Sequence, residues 1–171
     1  MLEDYFQLLD LQKKYNIDKA ELKSKYLSMQ IKFHPDRATN EEERRIFLEQ
    51  SMKLNEAEKV FKDDYLRAEY MLKLAGSKFD DKTLRDAISA QELEEIMEMH
   101  EMVDDAEDLD ELKQMEQIKL QEKDKMVQEL EGYLNENNLA KALDLTVRLK
   151  YLTNLVKNIK LKVKNADSRD L

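Results

Sequence analysis

The chain of 171 residues contains no cysteine. Disulfides, thiolate nucleophiles, Cys-ligated zinc and directly Cys-ligated iron–sulfur clusters are therefore excluded. It has one proline, Pro35, and two glycines, Gly76 and Gly132. An all-β protein needs many Gly- and Pro-rich turns, so that class is nearly ruled out. The longest apolar runs are about three residues, far short of the ~20 that span a bilayer. The opening MLEDYF is acidic and lacks an apolar stretch, so it does not read as a signal or transit peptide. Gly-rich phosphate loops are missing and there are only two histidines, so an enzyme finds few of its usual parts here.

What the chain does have is charge and helix formers. Charged residues make up 39% and hydrophobic residues 42%, which is too apolar for wholesale disorder. Abundant Leu, Lys, Glu and Ala with few breakers predict an all-α chain of a few long helices. The net charge is −9, but it is unevenly spread. No Lys or Arg stands between Arg85 and Lys113, and twelve acids do; without them the rest would be slightly basic. Duplex nucleic acid and membrane surfaces are poor partners for that balance, whereas a basic protein partner, or the chain's own basic C-terminus (Lys157, Lys160, Lys162, Lys164), suits it.

Six or seven helices follow from periodicity and caps. A short one covers roughly Asp4 to Leu11. A second starts at Asp18, with Glu21 three residues on, and carries the stripe Leu22, Tyr26, Met29 and Phe33. It must end near Phe33, because the residue before a proline is pushed out of the α region. After the loop HPDRATN, Thr39 with Glu42 or Asn40 with Glu43 caps a third helix with Phe47, Leu54, Ala57 and Phe61 on one face. A short helix runs from about Tyr65 to Ala75, and Gly76 suits its C-terminal cap. Ser89 with Glu92 caps the acidic helix. A long helix spans about Leu109 to Leu134, facing Leu109, Leu112, Leu120, Val127, Leu130 and Leu134 inward. The turn GYLNENN, with Gly132, leads to a last helix with the stripe Leu145, Leu149, Leu152, Val156, Ile159 and Val163. The second half thus reads as a three-helix bundle.

His34-Pro35-Asp36 stands between a basic helix and a capped one. Alone it is an ordinary interhelical turn. Its context is Lys25 and Lys32, seven residues apart on one flank of the preceding helix. The arrangement resembles a J-domain, the HPD-bearing module that activates DnaK-type ATPases. The resemblance lies in DYFQLLDL, in the basic helix ending KFHPDR, and in LNEAEKVF. LRAEYMLKLAG (Leu66 to Gly76) and the acidic C-terminal bundle narrow it to the HscB branch, the iron–sulfur co-chaperones, over nearly the whole chain. Three positions depart from the pattern: Asp10 where Gly is frequent, Glu58 where an aromatic is common, and Asp64 where proline usually stands.

The resemblance implies an L-shaped arrangement of a J-domain (residues 1–75), a linker (76–83) and a three-helix scaffold-binding bundle (84–171). It implies a co-chaperone with no catalysis and no cofactor of its own. Lys25, Lys32, His34, Pro35, Asp36 and Arg37 would meet the HscA-like chaperone and stimulate its ATPase. On the acidic helix, Ile96, Met99, Val103 and Ala106 share the core side, while Met97, Glu98, Glu101 and Asp105 lie roughly opposite, with Leu93 at the edge. In this family such a stripe binds the scaffold IscU, so Leu93, Met97, Glu98, Glu101 and Asp105 are expected to hold an IscU-like scaffold. Tyr151, off the core stripe of the last helix, is expected to complete the surface as an exposed anchor. Two alternatives stay open: a J-protein with a different client, and a helical adaptor with an accidental HPD. His100 with Asp104 makes at most a two-ligand helical pair, so no metal site is expected. A monomer or weak dimer, and the bacterial cytoplasm before the mitochondrial matrix, complete the expectation.

Overall fold

A computed structural model describes residues 3–167; the ends of the expected first and last domains, residues 1–2 and 168–171, lie outside the described residues. Among those described, every regular element is helical. The chain divides into two compact units, Met1–Gly76 and Ser77–Leu171.

The first unit holds four α-helices. α1 spans Tyr5–Leu8, α2 Lys19–Lys32, α3 Glu41–Lys62 and α4 Asp64–Leu74. Acidic and amide side chains open each of them. Asp4, Asp18, Asn40 and Asp63 accept hydrogen bonds from first-turn backbone N–H groups that have no partner inside the helix. α1 is shorter than its pattern suggests, because Asp10 leaves the helical region at φ 52°. Leu9 and Leu11 flank that inversion and are both buried.

α2 and α3 form a hairpin over one core. Leu22, Leu54, Ala57 and Phe61 are buried there with Phe6, Leu9, Ile17 and Val60. Tyr26, Met29 and Phe33 pack against this cluster from its edge, as their spacing on α2 requires. Polar side chains zip the hairpin shut beside the core. The Tyr26 hydroxyl donates to Asn55 Oδ1 at 2.8 Å, Gln30 Nε2 donates to the same oxygen at 2.7 Å, and the Ser51 hydroxyl donates to Gln30 Oε1 at 3.0 Å.

α4 closes the unit. Arg67 is buried, lies 4.7 Å over the Tyr15 ring, donates to the Phe61 carbonyl and pairs with Asp64 at 2.7 Å. Its guanidinium thereby ties the end of α3, the start of α4 and the loop before α2. Gly76 follows at φ +84°, the left-handed position where a helix C-terminus favours glycine.

In the second unit, α5 spans Asp81–Asp86, α6 Ala90–Asp105, α7 Leu109–Asn135 and α8 Leu139–Asp167. α5 lies across the stretch expected as linker and bundle start. α8 packs against both α6 and α7 and carries most of the core. Its buried face is wider than one stripe, adding Ala142, Thr146, Val147, Thr153 and Leu155 to Leu149, Leu152, Val156 and Ile159. A helix flanked on two sides must bury two adjacent stripes. On α7 only Leu112 and Leu130 of the expected inward residues are fully buried.

The sequence places Gly132 in a turn, and the structure corrects this. Gly132 is inside α7, and the left-handed residue of the turn is Asn137, at φ 54°. Tyr133 and Leu134 keep partly buried positions only if the helix continues, and Asn tolerates the left-handed region that Gly would otherwise supply.

Candidate functional site

The HPD loop is a short 3-10 helix, Pro35–Arg37, fixed at both ends. On the α2 side, Phe33 meets Phe47 of α3 edge to face, with centroids 5.6 Å apart. On the α3 side, the Asn40 side chain caps the helix, while Glu43 accepts from the backbone N–H and hydroxyl of Thr39 at 2.6 and 2.7 Å. Those bonds hold the Glu43 carboxyl below the usual range. Of the two capping boxes open from sequence neither closes: Asn40 accepts from the Glu43 N–H at 2.9 Å, but the Glu43 carboxylate returns to Thr39 and not to Asn40.

Within the loop, Pro35 starts the 3-10 turn and has no N–H to satisfy. His34 caps that turn: its Nδ1 accepts from the Asp36 N–H at 3.3 Å. The His34 and Asp36 side chains are 56% and 84% exposed, and Arg37 is exposed beside them. Three polar side chains therefore project from a backbone whose direction is set by proline and by two helix ends.

Lys32 adjoins the loop, its ammonium 5.2 Å from the Phe33 ring centre. Lys25 lies two turns back on α2 and forms an ion pair with Asp10. The sequence groups Lys25 with the other cations by spacing alone; the acid beside it comes from outside α2 and has no signal in helical periodicity. Asn55, which joins Tyr26 and Gln30, lies within the LNEAEKVF segment, where helical periodicity gives a polar residue no role.

In the second unit, the acidic helix is divided as its wheel predicts. Val103 and Ala106 are buried, and Ile96 and Met99 are half-buried. Leu93 and Met97 are 43% and 57% exposed, and Glu98, Glu101 and Asp105 are exposed as well. Tyr151 departs from expectation. It is half-buried and lines a cavity of about 270 Å³ with Ile96, Met99, Met126, Leu152 and Leu155. Half-buried on the wall of that cavity, it is not a freely exposed anchor.

Polar contacts hold α6 to α8 near both of its ends. At the start, Ser89 and Glu92 form a capping box, and Glu92 also pairs with Arg148 at 2.6 Å. The Ser89 hydrogen bonds, then Arg148, pull the Glu92 carboxyl down to about 2. At the end, Lys162 donates to the Val103 carbonyl at 2.7 Å and Asn158 donates to Asp104 at 3.1 Å. Periodicity does not reveal Arg148 as a partner, because the pair joins positions 56 residues apart.

Among the described residues no cluster of three or more His, Asp or Glu stands ready to hold a metal, and no helix is long and apolar enough to cross a membrane.

A DnaJ-domain model matches residues 4–70, and a model described as the HSCB C-terminal oligomerisation domain matches residues 89–160. A Buchnera aphidicola protein named co-chaperone protein HscB is 41% identical over 83 residues; the match spans 47% of this chain and about half, 48%, of that relative. A Shewanella woodyi HscB homologue is 31% identical over 160 residues, 89% of this chain and 92% of that protein. The crystal structure of the human co-chaperone protein HscB superposes with a TM-score of 0.84 at 27% identity, covering 94% of this chain and 82% of that one. With both halves matched in order and one relative aligned over nearly its full length, the chain belongs to the HscB family of J-domain co-chaperones.

Proposed function

We propose that this chain stimulates the ATPase of a DnaK-type (HscA-like) chaperone through its HPD loop and brings to it an IscU-like scaffold held on α6, in the assembly of iron–sulfur clusters. The observation that carries the first half is the loop itself. His34, Asp36 and Arg37 are presented to solvent by a backbone anchored at Phe33–Phe47 and at Thr39–Glu43. A partner can dock on such a loop without first paying to order it.

In this mechanism Lys25, Lys32 and Arg37 steer the encounter toward an acidic patch of the ATPase. Asp36 offers a carboxylate to a chaperone arginine, a geometry that suits two parallel hydrogen bonds. His34 presents its outer ring nitrogen, Nε2, to the chaperone. Pro35 keeps these directions constant. On α6, Leu93 and Met97 form a small apolar centre with Glu98, Glu101 and Asp105 as its charged rim, the usual build of a modest-affinity interface. Tyr151 supports that surface from α8.

The test is single-turnover ATP hydrolysis by the chaperone. His34→Gln should keep the helical fold and lose stimulation; a variant that stimulates like wild type overturns the proposal. A pull-down with the cluster scaffold separates scaffold delivery from delivery of another client.

A further inference from the structure

Asp10 occupies a costly place. Its N–H reaches back to the Gln7 carbonyl at 3.2 Å, and the next N–H, of Leu11, returns to the Phe6 carbonyl at 2.8 Å. Leu9 and Leu11 are both buried, so the backbone between them must invert, and Asp10 does so at φ 52°. Glycine adopts that region freely and most side chains resist it. Aspartate tolerates it, but nothing in the turn requires a carboxylate.

The carboxylate is used elsewhere. Asp10 pairs with Lys25 Nζ, a contact that also lowers the Asp10 carboxyl from its ordinary range, the hydrogen bond contributing most. The Asp10 side chain is 72% exposed and Lys25 36%, so the pair lies at the surface and supports no core. Lys32 and Arg37, the other cations of the loop region, have contacts of a different kind: Lys32 faces a ring, and Arg37 is exposed.

We infer that Asp10 restrains Lys25 and so weakens the encounter with the chaperone, acting as a positioning residue that a partner's carboxylate must displace; the inference rests on the role proposed above for Lys25. The pair holds the lysine against the turn that follows α1 and cancels its charge toward an approaching acidic surface. Exchange of Asp10 for a partner carboxylate then returns less than the capture of an unpaired lysine would. An exposed pair is weak, so the effect is an adjustment of affinity and on-rate rather than an on–off gate.

The experiment uses the full chain and a DnaK-type chaperone. The half-maximal concentration for stimulation is read in single-turnover hydrolysis at several salt concentrations. Asp10→Asn keeps a residue that tolerates the left-handed backbone and removes the charge. It should lower the half-maximal concentration by about 1.5- to 5-fold, the span of an exposed ion pair, with unchanged maximal stimulation and a steeper salt dependence. Glu21→Gln, which removes an acid one turn before Lys25 on the same helix but leaves its ion pair with Asp10 in place, should give a clearly smaller gain. In a Lys25→Gln background, Asp10→Asn should give no gain.

An Asp10→Asn chain equal to wild type overturns the inference, as does an equal gain from Glu21→Gln or a gain that persists without Lys25. Lys25→Gln alone separates the two levels. If it stimulates like wild type, the role of Lys25 falls and the inference with it. If it is weaker while Asp10→Asn is unchanged, only the inference falls.

Discussion

The Tyr70 hydroxyl accepts a hydrogen bond from the Tyr5 N–H at 2.7 Å while the two rings stack 4.8 Å apart. The same hydroxyl donates to the Glu3 carbonyl at 2.9 Å, so one side chain of α4 fastens Glu3 and Tyr5 across 67 and 65 positions of sequence. Phe6 and Phe61 complete the aromatic cluster around it. This explains why the tyrosine of the LRAEY segment accompanies the DYF opening: one residue caps and stacks on the other.

Removal of the Tyr70 hydroxyl should loosen that fastening. Tyr70→Phe keeps the stack but strands an N–H and a carbonyl in a partly buried site, so the first unit should lose about 1–2 kcal/mol. Hydrogen exchange read by mass spectrometry should show faster exchange in α1 and α4, with α7 and α8 unchanged.

High pH should act on the same cluster. Burial pushes the Tyr70 phenol up to about 12, and burial likewise raises Tyr15. The folded value lies above the unfolded one of 10.0. Stability from these neutral phenols is therefore fully present below pH 10 and is lost as pH rises through the folded values. Ultraviolet titration should show phenols ionising late, together with unfolding of the first unit.

Low pH should act on the second unit through Glu92. Its carboxyl is held near 2 in the fold against 4.5 when free, so its contribution is complete above about 4.5 and is lost as pH falls toward 2. Glu92→Gln should speed hydrogen exchange in the first turns of α6 at neutral pH. The difference from wild type should shrink across that acid window.

The two glycines should respond oppositely to alanine. Gly132 is inside α7 with open space where a Cβ would stand, so Gly132→Ala should stabilise the second unit by about 0.5–1 kcal/mol. Gly76 has equal room but φ +84°, so Gly76→Ala should destabilise by about 1 kcal/mol. Thermal melts of both variants check the pair of signs.

If α6 holds the scaffold as proposed, Leu93→Ala with Met97→Ala should weaken scaffold binding by about tenfold or more, since both apolar residues at the centre of the proposed surface are truncated. Calorimetry measures the affinity. Stimulation of the chaperone without scaffold should stay as in wild type, because both residues lie in the other unit.

Local physics was legible in the chain before any coordinates. Caps at Asp18 and Ser89, the stop at Phe33 before Pro35, and the exposed Leu93 and Met97 all follow from interactions within a few residues or from helical period. So did the motifs of the first unit, since HPD and LRAEY are each contiguous. Tertiary structure decided the contacts that span long separations. Tyr70 on Tyr5, Arg67 over Tyr15, Arg148 on Glu92 and Asp10 on Lys25 join residues whose spacing carries no periodic signal. It also decided where the breakers act. Gly132, a helix breaker by propensity, stays helical because its neighbours are held by packing along α7, and Asn137 makes the turn. Tyr151 follows the same rule: its place on the wheel was readable, but its half-buried position on a cavity lined from α6, α7 and α8 exists only once those helices come together.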